Sequence, residues 1–130
     1  MTVHEMLHQV SLFSSGVYRR AGALSSIEIP LPDGRRQVIY GKVGGIRGAR
    51  VGMLYTKIGE YTTAIDALAL LELNARLRHA RVALLPENQL VLIATFELGD
   101  TSVRECAPIL QEMAAVADEL EHRFYDDDVT

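Results

Sequence analysis

The residues whose types and spacing could do chemistry are few, and the sharpest group is His4-Glu5-Met6-Leu7-His8, a literal H-E-x-x-H. On a helix the two histidines lie one turn apart, so both imidazoles reach one zinc ion while the glutamate polarises the bound water, as in a zinc-dependent peptidase. The setting argues against that chemistry. His4 and His8 project away from the apolar stripe of Val3, Met6, Leu7, Val10 and Phe13, toward solvent rather than a walled cleft. No strand precedes the motif to hold a substrate, and no third His or Glu follows within the next three helical turns. The remaining histidines, His79 and His122, read as partly exposed surface residues.

Other candidates carry less. Cys106 falls on the apolar side of a helix, where buried thiols are inert, and as the only cysteine it excludes an internal disulfide. Ser14, Ser15, Ser25 and Ser26 lack a G-x-S-x-G elbow. The glycines of Gly44-Gly-Ile-Arg-Gly48 could cradle an anion beside Arg47 and Arg50, but no Lys-Ser/Thr follows and no helix opens behind them. That stretch is expected to be a mobile linker between strands. No catalytic residue and no cofactor are expected.

The elements that position these residues follow from periodicity. A helix is expected over residues 2–14, with Thr2 and Glu5 spaced as a capping box. A polar connection through Ser15, Gly16 and Gly22 leads to a strand at Leu24–Leu31, with Ile27, Ile29 and Leu31 inward. A second strand, Arg36–Val43, places Val38 and Tyr40 on the matching face. Between them Leu31-Pro-Asp-Gly-Arg35 is a turn: Pro presets φ, Asp bonds locally and Gly supplies positive φ. A third strand covers Arg50–Ile58.

The central helix runs from Ala64 to Asn74, with Thr63 as its N-cap and Asn74 suited to a left-handed end. It is apolar on too many sides. Ile65, Leu68 and Leu71 form one stripe, yet Leu70 and Leu73 spread the apolar surface around the circumference. One small domain has no second layer to cover that face, so these five residues are expected to form a dimer or partner surface. Two apolar strands follow, joined at Pro86-Glu-Asn-Gln89 with Leu85 opposite Leu90 and Arg78 opposite Glu97, and they are expected to lie centrally in the sheet. The last helix, Ser102–Phe124, carries the stripe Val103, Cys106, Leu110, Met113, Ala117, Leu120 and Phe124, with Glu112, Glu119 and Glu121 toward water. Pro108 predicts a bend or a late start. The order α-β-β-β-α-β-β-α implies an α+β fold with a single antiparallel sheet of about five strands.

Composition bounds the class of protein. At 130 residues, 48% hydrophobic and 23% charged, the chain reads as one globular domain over 1–130. Its longest uncharged runs fall short of the roughly 20 residues that a membrane helix needs. The absence of a secretory pattern and the lone cysteine imply a cytoplasmic protein. The net charge of −4 conceals an asymmetry: eight Lys/Arg against three Asp/Glu up to Lys57, then five against fourteen, ending in an acidic tail at 125–130. Such halves read as mutually complementary surfaces, and dispersed arginines on a net acidic chain argue against nucleic acid.

Asp33-Gly-Arg35 followed by Gln37-Val38, Ile58-Gly59 before the helix, Leu70-Leu-Glu-Leu-Asn-Ala75, and Ala117-Asp118-Glu-Leu-Glu121 together resemble the YbjN-like family, described as sensory-transduction regulators. Those domains are similar in fold to the class I type III secretion chaperones. The resemblance covers about Leu24 to Asp128 and implies a small acidic homodimer without catalytic residues. A non-enzymatic module that binds a polypeptide segment is therefore the expected function. The zinc peptidase at His4, Glu5 and His8 and a small-molecule-sensing regulator are the alternatives.

Overall fold

Period-two alternation punctuated by Gly and Pro sends much of this chain into strands, and stripes of helical period supply what covers them. The computed structural model describes residues 2–12 and 14–125. The elements are α1 (Val3–Leu12), β1 (Val17–Ala21), β2 (Leu24–Pro30), β3 (Arg36–Ile46), β4 (Ala49–Glu60), α2 (Ala67–Asn74), β5 (Arg81–Leu85), β6 (Gln89–Glu97) and α3 (Val103–Tyr125), with a 3-10 turn at Pro86–Asn88. All strands join one antiparallel sheet in the order β1-β2-β3-β4-β6-β5. The fold is α+β, as the element order implies. Phe13 of the first stripe and the acidic run at 126–128 lie outside the described residues.

The sheet has six strands rather than five, because Val17–Ala21 pairs with β2 instead of forming a polar connection. Gly44 to Gly48 is not a linker. β3 continues to Ile46, and Arg47 and Gly48 turn the chain with φ of 49° and 82°. Two successive positive φ values match the right-handed twist of the strands they join. The turn before β3 forms as its residues dictate: Leu31 exchanges bonds with Arg35 and Gly34, Asp33 accepts from the Arg35 N–H at 3.0 Å, and Gly34 has φ 85°.

Register decides which side chains meet the helices. Ile27 lies opposite Ile39, and Gly41 opposite Leu54, so Ile39 faces the core while Val38 and Tyr40 face the other way, the reverse of the sequence reading. Ile27, Ile39, Leu54 and Leu92 are all fully buried against Val3, Met6 and Leu7 of α1, Leu70 of α2, and Leu110 and Met113 of α3. Gly41 lets α1 approach closely, since a β-carbon there would stand 2.7 Å from Leu7 and 2.8 Å from Val3. Tyr40, Met53, Tyr55 and Ile93 belong to none of this core and line the opposite face.

The β5–β6 hairpin differs from expectation in register and place. Glu87 and Asn88 adopt φ of 65° and 59°, which shortens the loop to Pro86–Asn88 and sets Leu85 opposite Gln89 and Leu84 opposite Leu90. Arg78 is therefore outside the hairpin, and β5 is an edge strand rather than a central one. That edge is partly closed: the Asn74 side chain accepts from the Val82 N–H at 2.7 Å and donates to its carbonyl at 3.2 Å. Asn74 thus caps a strand, while α2 ends through Ala75 in right-handed conformation.

α3 runs without interruption from Val103 through Pro108, so the late start is not seen; Ser102 and Glu105 close a capping box at its beginning. Glu112, expected in water, instead takes the backbone N–H groups of Arg78, His79 and Ala80 at 2.8, 2.7 and 2.8 Å. Partial burial pushes its carboxyl up, but the three N–H donors and the neighbouring His79 outweigh burial and hold it below the ordinary glutamate value. A lowered folded pKa contributes stability above the ordinary glutamate range, and that stability is lost as pH falls through the folded value. Glu112→Ala is expected to cost about 1–2 kcal/mol in urea denaturation near neutral pH, the half-exposed setting keeping the figure modest. The difference from the unmodified protein should shrink as pH falls below the ordinary glutamate range and the carboxylate protonates.

Candidate functional site

α2 begins at Asp66, not at Thr63: the Asp66 carboxylate accepts from the N–H groups of Leu68 and Ala69 at 3.1 and 3.3 Å. With this later start Ile65 lies ahead of the helix, and the apolar residues fall into two sets. Ile65 and Leu70 are buried in the core, and Leu73 is half-buried against it. Leu68 and Leu71, three residues apart and so on one side of the helix, are 70% and 65% exposed. α2 packs along β5, where Leu84 is also exposed. Of the five residues expected to form a partner surface, two therefore point outward, two point inward, and Leu73 lies between.

The H-E-x-x-H motif is folded as a helix, and His4, Glu5 and His8 line one shallow hollow with Thr2, Tyr18 and Arg20, in which the two histidines have different partners. His4 is half-buried, its Nδ1 bonded to the hydroxyl of Ser25, and not wholly turned to solvent as expected; His8 is exposed and stacks on Tyr18 with ring centroids 5.0 Å apart. Burial, and then the positive charge of Arg20, lowers the pKa of His4. Among the described residues, the group able to bring three ligand atoms together is Asp33, Asp118 and His122, within 4.8 Å of one another. Arg35 already ion-pairs with Asp118 and lies 3.6 Å from Asp33, so a guanidinium supplies the positive charge at this place. The group clasps the β2–β3 turn to α3.

Beside that clasp lies a buried polar chain. Gln37 donates to Thr56 at 2.8 Å and to Glu121 at 3.1 Å, and Thr56 donates to the Val38 carbonyl at 2.7 Å. Gln37 and Thr56 are buried, and Glu121 is half-buried rather than facing water. Cys106 is fully buried, and burial pushes its thiol up to about 12, far from a working nucleophile. A groove of about 250 Å³ lies between α1, β2 and α3; its described lining, including Val10, Ser14, Ile29, Leu110 and Gln111, contains no ionisable side chain. No helix among the described residues is long and apolar enough to cross a membrane.

One cluster escaped the sequence reading. On the face of the sheet away from the helices, Tyr40 and Tyr55 stack with centroids 5.3 Å apart, Lys42 stands 5.7 Å over Tyr55, and Lys57 stands 5.8 Å over Tyr40. The available signal was phase: Lys42 alternates in step with Tyr40, and Lys57 with Tyr55.

No family model matches this chain, and no curated protein matches it. Among solved structures, it is similar to a chain of the heterodimeric complex ExoU-SpcU from the type III secretion system of Pseudomonas aeruginosa. The likeness has a TM-score of 0.55 at 16% identity, covering 92% of this chain and 95% of that one. At such identity it establishes the fold alone, an α+β fold with one antiparallel sheet shared with a chain of that type III secretion complex; the YbjN-like assignment finds no matching family model.

Burial raises the Glu121 carboxyl above its ordinary value; the Gln37 donor opposes this and the Asp118 charge adds to it. A raised folded pKa means that stability falls as pH rises from the ordinary glutamate range through the folded value. Glu121→Gln keeps an acceptor for Gln37 and removes the charge. Its thermal midpoint near neutral pH is expected to rise by about 1–2 °C, with the gain vanishing near pH ~4, in melts followed by circular dichroism.

Proposed function

We propose that this chain is a non-enzymatic, chaperone-like module that binds a polypeptide segment and acts as a homodimer through the outer side of α2. The observation that carries the reading is the exposure of Leu68 and Leu71 on a helix whose other two leucines, Leu70 and Leu73, pack into the core. An exposed leucine alone is unremarkable, but two on one helical side, on a helix that packs against the edge strand carrying the exposed Leu84, form a surface of the sort that marks association. The fold likeness supports a protein partner, because the similar chain is described in a heterodimeric complex. The polar groups support the non-enzymatic part: Asp33, Asp118, Glu112 and Glu121 hold structural elements together, and the Cys106 thiol is buried.

If association stabilises the fold, the thermal midpoint depends on protein concentration. A rise of about 2–4 °C is expected for each tenfold increase in concentration. In the Leu68→Lys, Leu71→Lys double variant that dependence should disappear while the far-ultraviolet circular dichroism stays unchanged, since neither side chain is in the core. A midpoint independent of concentration in the unmodified protein would overturn the homodimer.

A further inference from the structure

The helices cover one face of the sheet, and the other carries a feature that a net acidic chain has no need of for its own cohesion. Lys42, Tyr55, Tyr40 and Lys57 form a row across β3 and β4, the two middle strands, with the rings stacked and an ammonium over each. Elsewhere on the open face Arg19 meets Glu28 at 2.9 Å, and Arg81, opposite Ile93, donates to the backbone carbonyls of Leu77 and Ala80. Neither Lys42 nor Lys57 pairs with a carboxylate among the described residues. Arg36, exposed on the same face of β3, adds a third positive charge. Met53 and Ile93 flank the tyrosines as half-buried apolar neighbours. Glu60 and Glu87 border Lys57 around a hollow of about 410 Å³ and mark where the positive strip ends.

We propose that this open sheet face binds an acidic amphipathic segment of a partner polypeptide, its carboxylates on Lys42 and Lys57 and its apolar side chains on Met53, Ile93 and the tyrosine edges. The inference rests on the polypeptide-binding reading above and names the chemistry of the segment. Charge complementarity selects the occupant: positive groups without carboxylate partners at the centre of an otherwise acidic protein attract an anionic partner and repel a basic one. The tyrosine geometry favours peptide over single-stranded nucleic acid. A base needs a free ring face to stack on, whereas Tyr40 and Tyr55 turn faces to each other and to the ammonium groups. The β5 edge is a poorer place for the segment because Asn74 occupies the Val82 backbone there.

The test is fluorescence anisotropy with three probes: a labelled peptide of about fifteen residues alternating glutamate and leucine at helical spacing, its lysine counterpart, and an oligothymidylate of similar length. The acidic peptide should bind with an affinity that falls as salt rises. Lys42→Glu with Lys57→Glu should weaken it at least about tenfold, and Lys42→Arg with Lys57→Arg should restore it. Equal binding by the lysine peptide, preference for the oligothymidylate, or indifference to charge reversal would each overturn the proposal. Loss of the concentration-dependent melting point in the charge-reversal variant would place a second copy on this face and overturn it too. Failure of the acidic peptide with that dependence intact rejects the acidic segment and leaves the homodimer standing.

Discussion

A six-stranded sheet has two faces, and the helices among the described residues cover only one of them. Ile27, Ile39, Leu54 and Leu92 are sealed beneath α1, α2 and α3, whereas Tyr40, Met53, Tyr55 and Ile93 lie on the face away from these helices, with lysine ammonium groups over the two rings. Covering both faces would take more helix than α1, α2 and α3 supply. α2 shows the same shortage on a smaller scale: at eight residues it can bury Leu70 but not Leu68 and Leu71 as well. A surface left apolar in this way is where a second polypeptide gains most from contact.

Electrostatics holds the covered side together. The basic first half and acidic second half of the sequence meet within the fold, where Arg35 of the β2–β3 turn pairs with Asp118 of α3, 83 positions away. Glu112 and Glu121, also on α3, bind the α2–β5 connection and Gln37 respectively. The two carboxylates are shifted in opposite directions because their partners differ. Glu112 meets three backbone N–H donors that stabilise its charge, and Glu121 meets one amide and a like-charged neighbour in a more buried place. What the asymmetry leaves unmatched is the centre of the open face, with Lys42 and Lys57.

Much of this was legible in the letters, in proportion to how locally each feature is determined. The turn at Leu31–Arg35, the α3 stripe through Leu110 and Met113, and the α1 stripe through Met6 and Leu7 depend on neighbours in sequence, and they form as expected. What escaped depends on single-residue shifts. Glu87 and Asn88 take left-handed conformations without being glycine, which moves the β5–β6 register by one; Asp66 rather than Thr63 caps α2, which leaves Ile65 ahead of the helix and buried in the core. The strand at Val17–Ala21 reads as a loop because its residues are mostly exposed and its pairing to β2 supplies what its apolar content does not. Of the expected partner surface, Leu68 and Leu71 point outward, and the tyrosine–lysine row needed the β3–β4 register to be seen.

The claim on which the rest turns is that the outer side of α2 requires a second chain. Sedimentation equilibrium of the unmodified protein at micromolar concentration measures this most directly. A mass of two chains of 14.4 kDa each is expected. A mass of 14.4 kDa throughout the concentration range would contradict it.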